Sequence, residues 1–414
     1  MSASSSLSTR YRSVRQRSLS VCAPLSAEDA QVQSMPDVSP AKWHLAHTTW
    51  FFERFVLARV GDSPLDPAFE YLFNSYYDSV GAHVDRARRG HLTRPALPVV
   101  HAYRYAIDTR IEEVLADKPD VETLARIELG LHHEQQHQEL MLTDLKHVLG
   151  MQPLRPAYRP DLARPANATV EMRHWIEIDG GVVEVGAKGA GFAYDCERPR
   201  HCVLLSSYRL ASRPLCNAEV LAFIADGGYR DSRFWLADGF ALARSENWRA
   251  PLYWEQRDDV WLHYTLAGLR EVDPAETACH LSYYEADAIA RWAGARLPTE
   301  AEWEHAAARV ELTGNFADDD ALHPSTASGD GLRQLFGDVW EWTQSAFAPY
   351  PGFRPLDGAL GEYNGKFMAN QLVLRGGSCL TPRDHMRASY RNFFAPSARW
   401  QMTGVRLALD GEQS

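Results

Sequence analysis

Leu129-Gly130-Leu131-His132-His133-Glu134-Gln135-Gln136-His137-Gln138-Glu139-Leu140-Met141-Leu142 is the stretch on which the reading of the chain turns. In a helix, residues four apart lie one above the other, so His133 and His137 share a face. Neutral imidazoles on a rigid helix can grip one metal ion. No Gly or Pro interrupts Leu131 to Leu149, and Leu129, Met141, Leu142 and Leu145 supply an apolar stripe, so the spacing predicts a helix. The bland alternative is a polar helix face that happens to be rich in His and Gln.

Working outward, residues 1–150 read as helical. TRYRSVRQRSLSV can make a first helix after a Ser-rich start, and Ser26 offers an N-cap for a short second one. Ser39 followed by Pro40 reads as cap and first helical position for AKWHLAHTTWFFERFVLARV. VVHAYRYAIDTRIEEVLAD and the histidine stretch add two more long helices. Four main helices imply a bundle, in which metal sites are built from facing helices. Residues 151–170 are rich in Pro, Arg and Ala and read as a linker. Residues 171–414 change texture, with short strand-like runs, a few helical patches and many Gly, Pro and Trp loops. The expected fold class is therefore an α bundle followed by a loop-rich α+β domain.

At 414 residues the chain exceeds what one core usually holds, which agrees with two domains. Apolar content of 45% is that of a globular protein, not a disordered one. A net charge of −11 without a long basic run argues against nucleic acid as partner. No apolar run reaches the length of a membrane span and no signal-peptide pattern opens the chain, so a cytoplasmic protein with no membrane partner is expected. Six cysteines without a CxxC read as reduced, mostly buried thiols. The oligomeric state stays open, a homo-oligomer included.

His133-Glu134-Gln135-Gln136-His137 also satisfies HExxH, the zinc-peptidase helix in which the Glu is general base. That reading needs a third ligand, and those downstream on the same helix fit poorly. Upstream, Trp43-His44-Leu45-Ala46-His47 lies on the other long helix, and by spacing His44 and His47 serve equally well. A three-His face with open positions suits oxygen-activating iron, though such iron usually has a carboxylate ligand. Three neutral ligands would leave Fe(II) its full charge and favour an anionic thiolate.

WHLAHTTWFFE and HHEQQHQELML, joined to a second half carrying CHLSYYEADAIARWAGARLPTEAEWE, GDVWEWT, LRGGSC, SYRNFF and TGVRLA, resemble the ergothioneine-biosynthetic sulfoxide synthases over nearly the whole chain. The resemblance implies a DinB-like four-helix bundle and a domain similar to formylglycine-generating enzyme, a variant of the C-type lectin fold. It implies an oxidoreductase in which nonheme Fe(II) and O2 join a thiol to C2 of the imidazole of hercynine (N-alpha-trimethylhistidine) and oxidise the sulfur. Carried over by motif, the metal ligands are His47, His133 and His137, leaving His44 outside the ligand set and depriving Glu134 of a catalytic role. Gln136 matches a contact to the substrate imidazole. Tyr76 and Tyr77 match the tyrosine pair of the cysteine-using branch and are the expected proton donors. A second branch uses a tyrosine of the C-terminal domain, where this chain aligns Leu360, with Tyr363 nearby but out of register.

The branch using gamma-glutamylcysteine binds the dipeptide with two bundle arginines and an Asp and Arg of the second domain. Arg86 and Arg89 match the first pair, but Phe394 and Ala398 stand where the second would be. An apolar pair cannot hold the dipeptide's charged ends. Cysteine, its carboxylate on an arginine, is therefore the expected thiol. Asn392 and Phe393 match contacts to hercynine, with aromatic rings suited to its trimethylammonium. The rival substrates are gamma-glutamylcysteine and, for a selenoneine synthase of similar fold, a selenosugar. Formylglycine generation needs a cysteine pair that SYRNFFAPSARWQ lacks.

Overall fold

The computed structural model describes residues 3–163 and 169–411. Residues 164–168 of the expected linker lie outside them. The chain divides into two compact units, Met1–Tyr158 with Leu356–Tyr363, and Arg159–Pro355 with Asn364–Ser414. A linear reading places the divide within residues 151–170 and has no reason to assign an eight-residue return segment to the bundle.

The first unit is built on α1 (Ala3–Cys22), α2 (Ala41–Phe52), the short α3 (Ala68–Phe73), α4 (Leu97–Ala116) and α5 (Val121–Met151). The four long helices form the bundle, with α1 and α2 each packing on α4 and α5. The expected cap of α2 is shifted. Pro40 occupies the N-cap with extended backbone, and Ser39 instead donates its backbone N–H to Asp144 on α5 at 2.8 Å. That bond ties the start of α2 to α5 through a buried carboxylate, a partner no local pattern reveals. Beyond Phe52 the helix widens to π geometry over Glu53–Leu57.

Gly130 interrupts the first half of α5, and packing explains it. A Cβ there would meet the Phe52 ring at 2.6 Å, so the missing side chain is what lets α5 approach α2. Asp120 caps α5, accepting from Thr123 N at 2.7 Å.

The second unit contains helices α6 (Asn217–Ala225), α7 (Ala237–Ser245), α8 (Tyr283–Trp292) and α9 (Glu300–Ala307). Its strands are β1 (Trp175–Ile178), β2 (Gly181–Val185), β3 (His201–Leu205), β4 (Tyr208–Ala211), β5 (Trp254–Arg257) and β6 (Val260–Thr265). They continue with β7 (Gly268–Glu271), β8 (Trp340–Ala346), β9 (Leu372–Arg375), β10 (Asn392–Phe394), β11 (Thr403–Gly404) and β12 (Ala408–Asp410). Among the described residues they form small sheets in the orders β1-β4-β12, β10-β9-β8-β11, β2-β3 and β5-β6-β7. All pairings are antiparallel except β11 with β8.

The motifs of this half are its frame. In LPTEAEWE, Thr299 and Glu302 make a reciprocal capping box at the start of α9. Glu304 of the same run pairs with Arg375 of LRGGSC at 2.7 Å, and Glu300 with Arg391 at 2.9 Å. In GDVWEWT, the fully buried Glu341 accepts from Trp303 Nε1 and pairs with the equally buried Arg406 of TGVRLA, both at 2.7 Å. Buried charges of this kind survive only when paired and hydrogen-bonded, so the motif carboxylates answer to one another within the core.

Candidate metal centre

His47 projects from α2, and His133 and His137 from α5, into one buried space. One ligand-type atom from each lies within 4.8 Å of the others. The ring centroids are 4.6–5.0 Å apart pairwise. Burial holds all three imidazoles far below their ordinary pKa and their mutual proximity adds to this for His47 and His137; for His133 the value falls to about 3. They are therefore neutral at physiological pH, the form that donates a lone pair to a metal.

Hydrogen bonds decide which nitrogen is available. The Phe73 carbonyl at the end of α3 takes the His47 Nδ1 proton at 2.6 Å, which leaves His47 Nε2 bare. That atom faces His133 Nε2 at 3.3 Å. Asp144 fixes a proton on His44 Nε2 at 3.1 Å, so His44 Nδ1 accepts from His137 Nδ1 at 2.8 Å. His137 Nε2 then keeps its lone pair. An Asp–His pair behind a ligand histidine is the usual outer support of a metal site. His133 Nδ1 is buried with no hydrogen-bond partner among the described residues. A cation among these donors would use the converging lone pairs, so the residues fit a metal held by three imidazoles.

Glu134 has a different office. Arg15 donates to it at 2.8 Å and Ser18 at 2.6 Å, and Arg104 binds it as well. Burial alone would raise this carboxyl, but Arg104 and Arg15 outweigh it and hold the pKa at about 2. The carboxylate is consumed by the α1–α4–α5 junction, so the general base demanded by the zinc-peptidase reading is missing.

Around the histidines, Trp43 stacks on His47 with ring centroids 4.5 Å apart, and the Arg89 guanidinium lies 3.4 Å over the Trp43 ring. Arg89 is buried, and its hydrogen bonds go to the Ser39 and Ser75 hydroxyls at 2.9 and 2.7 Å. Burial, with Arg86 nearby, lowers its pKa to about 9. Arg86 itself is exposed. Tyr77 is buried against Phe55 and Trp50, and burial raises its pKa, opposed in part by the neighbouring Tyr76. Tyr76 is half-buried with its ring 4.7 Å from that of Tyr77.

The residue that alignment set aside is the one the fold brings in. Leu356–Tyr363 packs with the bundle, and Tyr363 donates a hydrogen bond to Gln136 Oε1. Its ring stands 5.5 Å from Tyr76 and 6.3 Å, edge-on, from His133. Glu362 anchors the segment by accepting from Asp78 N at 2.9 Å and Ser79 N at 3.0 Å, directly after the tyrosine pair. Leu360, by contrast, brings no hydroxyl. Asn392, Phe393 and Phe394 belong to the second unit and form their own group there. Phe393 stacks on Phe347 at 4.0 Å and on Phe367 at 5.9 Å, Phe394 meets Trp400, and Asn392 Oδ1 accepts from Phe393 N.

Comparison with known proteins adds an independent line. Residues 10–141 match the DinB superfamily, and residues 161–329 and 324–411 match the sulfatase-modifying factor enzyme 1-like domain. Hercynine oxygenase from Mycolicibacterium thermoresistibile is 34% identical, aligned over 92% of this chain and 90% of its own length. Hercynine oxygenase from Mycolicibacterium smegmatis is 32% identical over 92% and 94%. Formylglycine-generating enzyme from Streptomyces coelicolor is 30% identical, but over 60% of this chain. A helical bundle with a three-histidine centre joined to such an α+β domain defines a two-part oxidoreductase. The chain belongs to the ergothioneine-biosynthetic sulfoxide synthase family. No helix among the described residues is long and apolar enough to cross a membrane.

Proposed function

We propose that this protein is a nonheme Fe(II)- and O2-dependent hercynylcysteine sulfoxide synthase, with His47, His133 and His137 as the iron ligands. The observation that carries this is a buried centre of three neutral imidazoles with no carboxylate among them. In the balance of the reaction, hercynine C2–H, cysteine S–H and O2 become a C–S bond, a sulfoxide oxygen and water. Iron bound at the histidines would relay to O2 the four electrons that the two substrates give up, and would supply a net positive charge that favours the cysteine as thiolate.

The chain's own residues do the rest. Arg89, a buried cation bonded to hydroxyls instead of a carboxylate, suits the carboxylate of free cysteine. Arg86 adds positive charge at the exposed side of the same loop. Gln136, one position before a ligand, would orient the hercynine imidazole, and Tyr363 holds its amide in place. Asn392, Phe393 and Phe394 are the proposed hercynine-binding group of the second unit, the rings serving its trimethylammonium. Proton delivery falls to the tyrosine set, Tyr76 and Tyr77 joined by Tyr363.

The test is anaerobic loading with Fe(II), addition of hercynine and cysteine, admission of O2, and mass analysis. Hercynylcysteine sulfoxide is the expected product. Product from gamma-glutamylcysteine or a selenosugar, with none from cysteine, would overturn the thiol assignment. Absence of O2 uptake with every donor would overturn the reaction itself.

A further inference from the structure

The second unit holds another set of metal-type donors, far along the chain from the bundle histidines. His263 on β6, Glu276 and His323 each offer one atom, and the three atoms lie within 4.8 Å of one another. All three residues are buried, at 5–6% exposure, which separates them from a solvated surface cluster. His323 Nε2 and Glu276 Oε2 are 3.0 Å apart, and the His263 and His323 rings meet edge-on at 5.3 Å.

Each donor sits on a fixed backbone. His263 is in register with Trp254 on β5 and Arg270 on β7. Glu276 makes a β-bridge with Thr326, and its carbonyl accepts from Asn217 N at 2.9 Å. The His323 carbonyl accepts from Asn315 Nδ2 at 2.8 Å. Tetrahedral zinc, with bonds of about 2.0–2.2 Å, would set its ligand atoms roughly 3.3–3.6 Å apart, so the 3.0 Å His323–Glu276 pair would open by a few tenths of an ångström while His263 stays within the 4.8 Å spread.

From this we infer a second, structural metal site that takes a Zn(II)-class divalent ion. Two imidazoles and a carboxylate are a zinc donor set, and the anion distinguishes it from the all-imidazole centre in the bundle. Its purpose follows from the topology. The β5-β6-β7 sheet pairs with no other described sheet, and a bound ion would clip its central strand to the segments carrying Glu276 and His323.

The competing explanation is an ordinary buried His323–Glu276 hydrogen bond. Chelator-treated full-length protein, titrated with Zn(II) alone and assayed by elemental analysis, separates the two. Wild type should retain about one zinc equivalent more than His323→Ala or Glu276→Gln. The melting temperatures of wild type and Glu276→Gln should diverge on adding zinc and converge in chelator. Glu276→Gln keeps a hydrogen-bonding partner for His323, so it serves where His323→Ala fails to fold. Equal zinc content in wild type and Glu276→Gln, with a melting difference indifferent to zinc, would overturn the site.

Discussion

Two faces of α5 begin one residue apart and are made for opposite electrostatic ends. His133 and His137 look into a space where burial keeps both of them, and His47 opposite, unprotonated. Glu134, next along the helix, looks into a junction where two arginines keep it ionised. What separates them is the company brought by other helices. α2 supplies another histidine to one face, whereas α1 and α4 supply Arg15 and Arg104 to the other. An HExxH string is thus not a function until the partners of its Glu are known.

The sharpest way to break this comparison is His47→Ala, which should remove the bundle's iron equivalent and all sulfoxide formation while the melting temperature changes little. Iron content and product mass read this directly. Next come the tyrosines. Replacing Tyr76, Tyr77 and Tyr363 singly by Phe should cost the true donor about 10²–10⁴-fold in C–S bond formation and divert turnover to simple thiol oxidation. The ratio of sulfoxide to oxidised thiol identifies it, and equal ratios in all three variants would discard the set.

On the other face, Glu134→Ala should cost about 3–5 kcal/mol of stability in denaturant, because the buried Arg104 guanidinium loses its carboxylate and Arg15 is left with Asp108 alone. The two faces should also titrate apart in metal-free protein. A Glu134 carboxyl depressed to about 2 stabilises the fold above its unfolded pKa, and that contribution fades as pH falls from about 4.5 toward 2. His133, depressed to about 3, is neutral in the fold but protonates in the unfolded chain, so stability declines already below about pH 6.5. Acid melts should show the histidine phase first, and iron should suppress it. The smallest effect belongs to His44→Ala, which should keep the metal but weaken its affinity about 10–100-fold.

Much of this was legible in the sequence, because α5 announces itself through helical spacing and the WHLAH run names a second helix. The choice between His44 and His47 was not legible from spacing. The proposed choice of His47 draws on Phe73 and Asp144, which bind one nitrogen of each ring from elsewhere in the bundle. Tyr363 was set aside as out of register for a related reason. Its segment leaves the second unit and returns within eight residues, held by Glu362 on the backbone after Tyr77, and no periodicity marks such an excursion. The resemblance gave Glu134 no catalytic role, but its ion pairs needed Arg15 and Arg104, both remote in sequence.

The excursion at Leu356–Tyr363 also bears on how such a protein can arise and be rearranged. A chain cut after Tyr158 would keep all three histidines yet lose Tyr363 and Glu362, and with them the support of Gln136. The two halves are consequently not interchangeable modules. A bundle recombined with a foreign partner would inherit the three histidines without the Tyr363–Gln136 hydrogen bond.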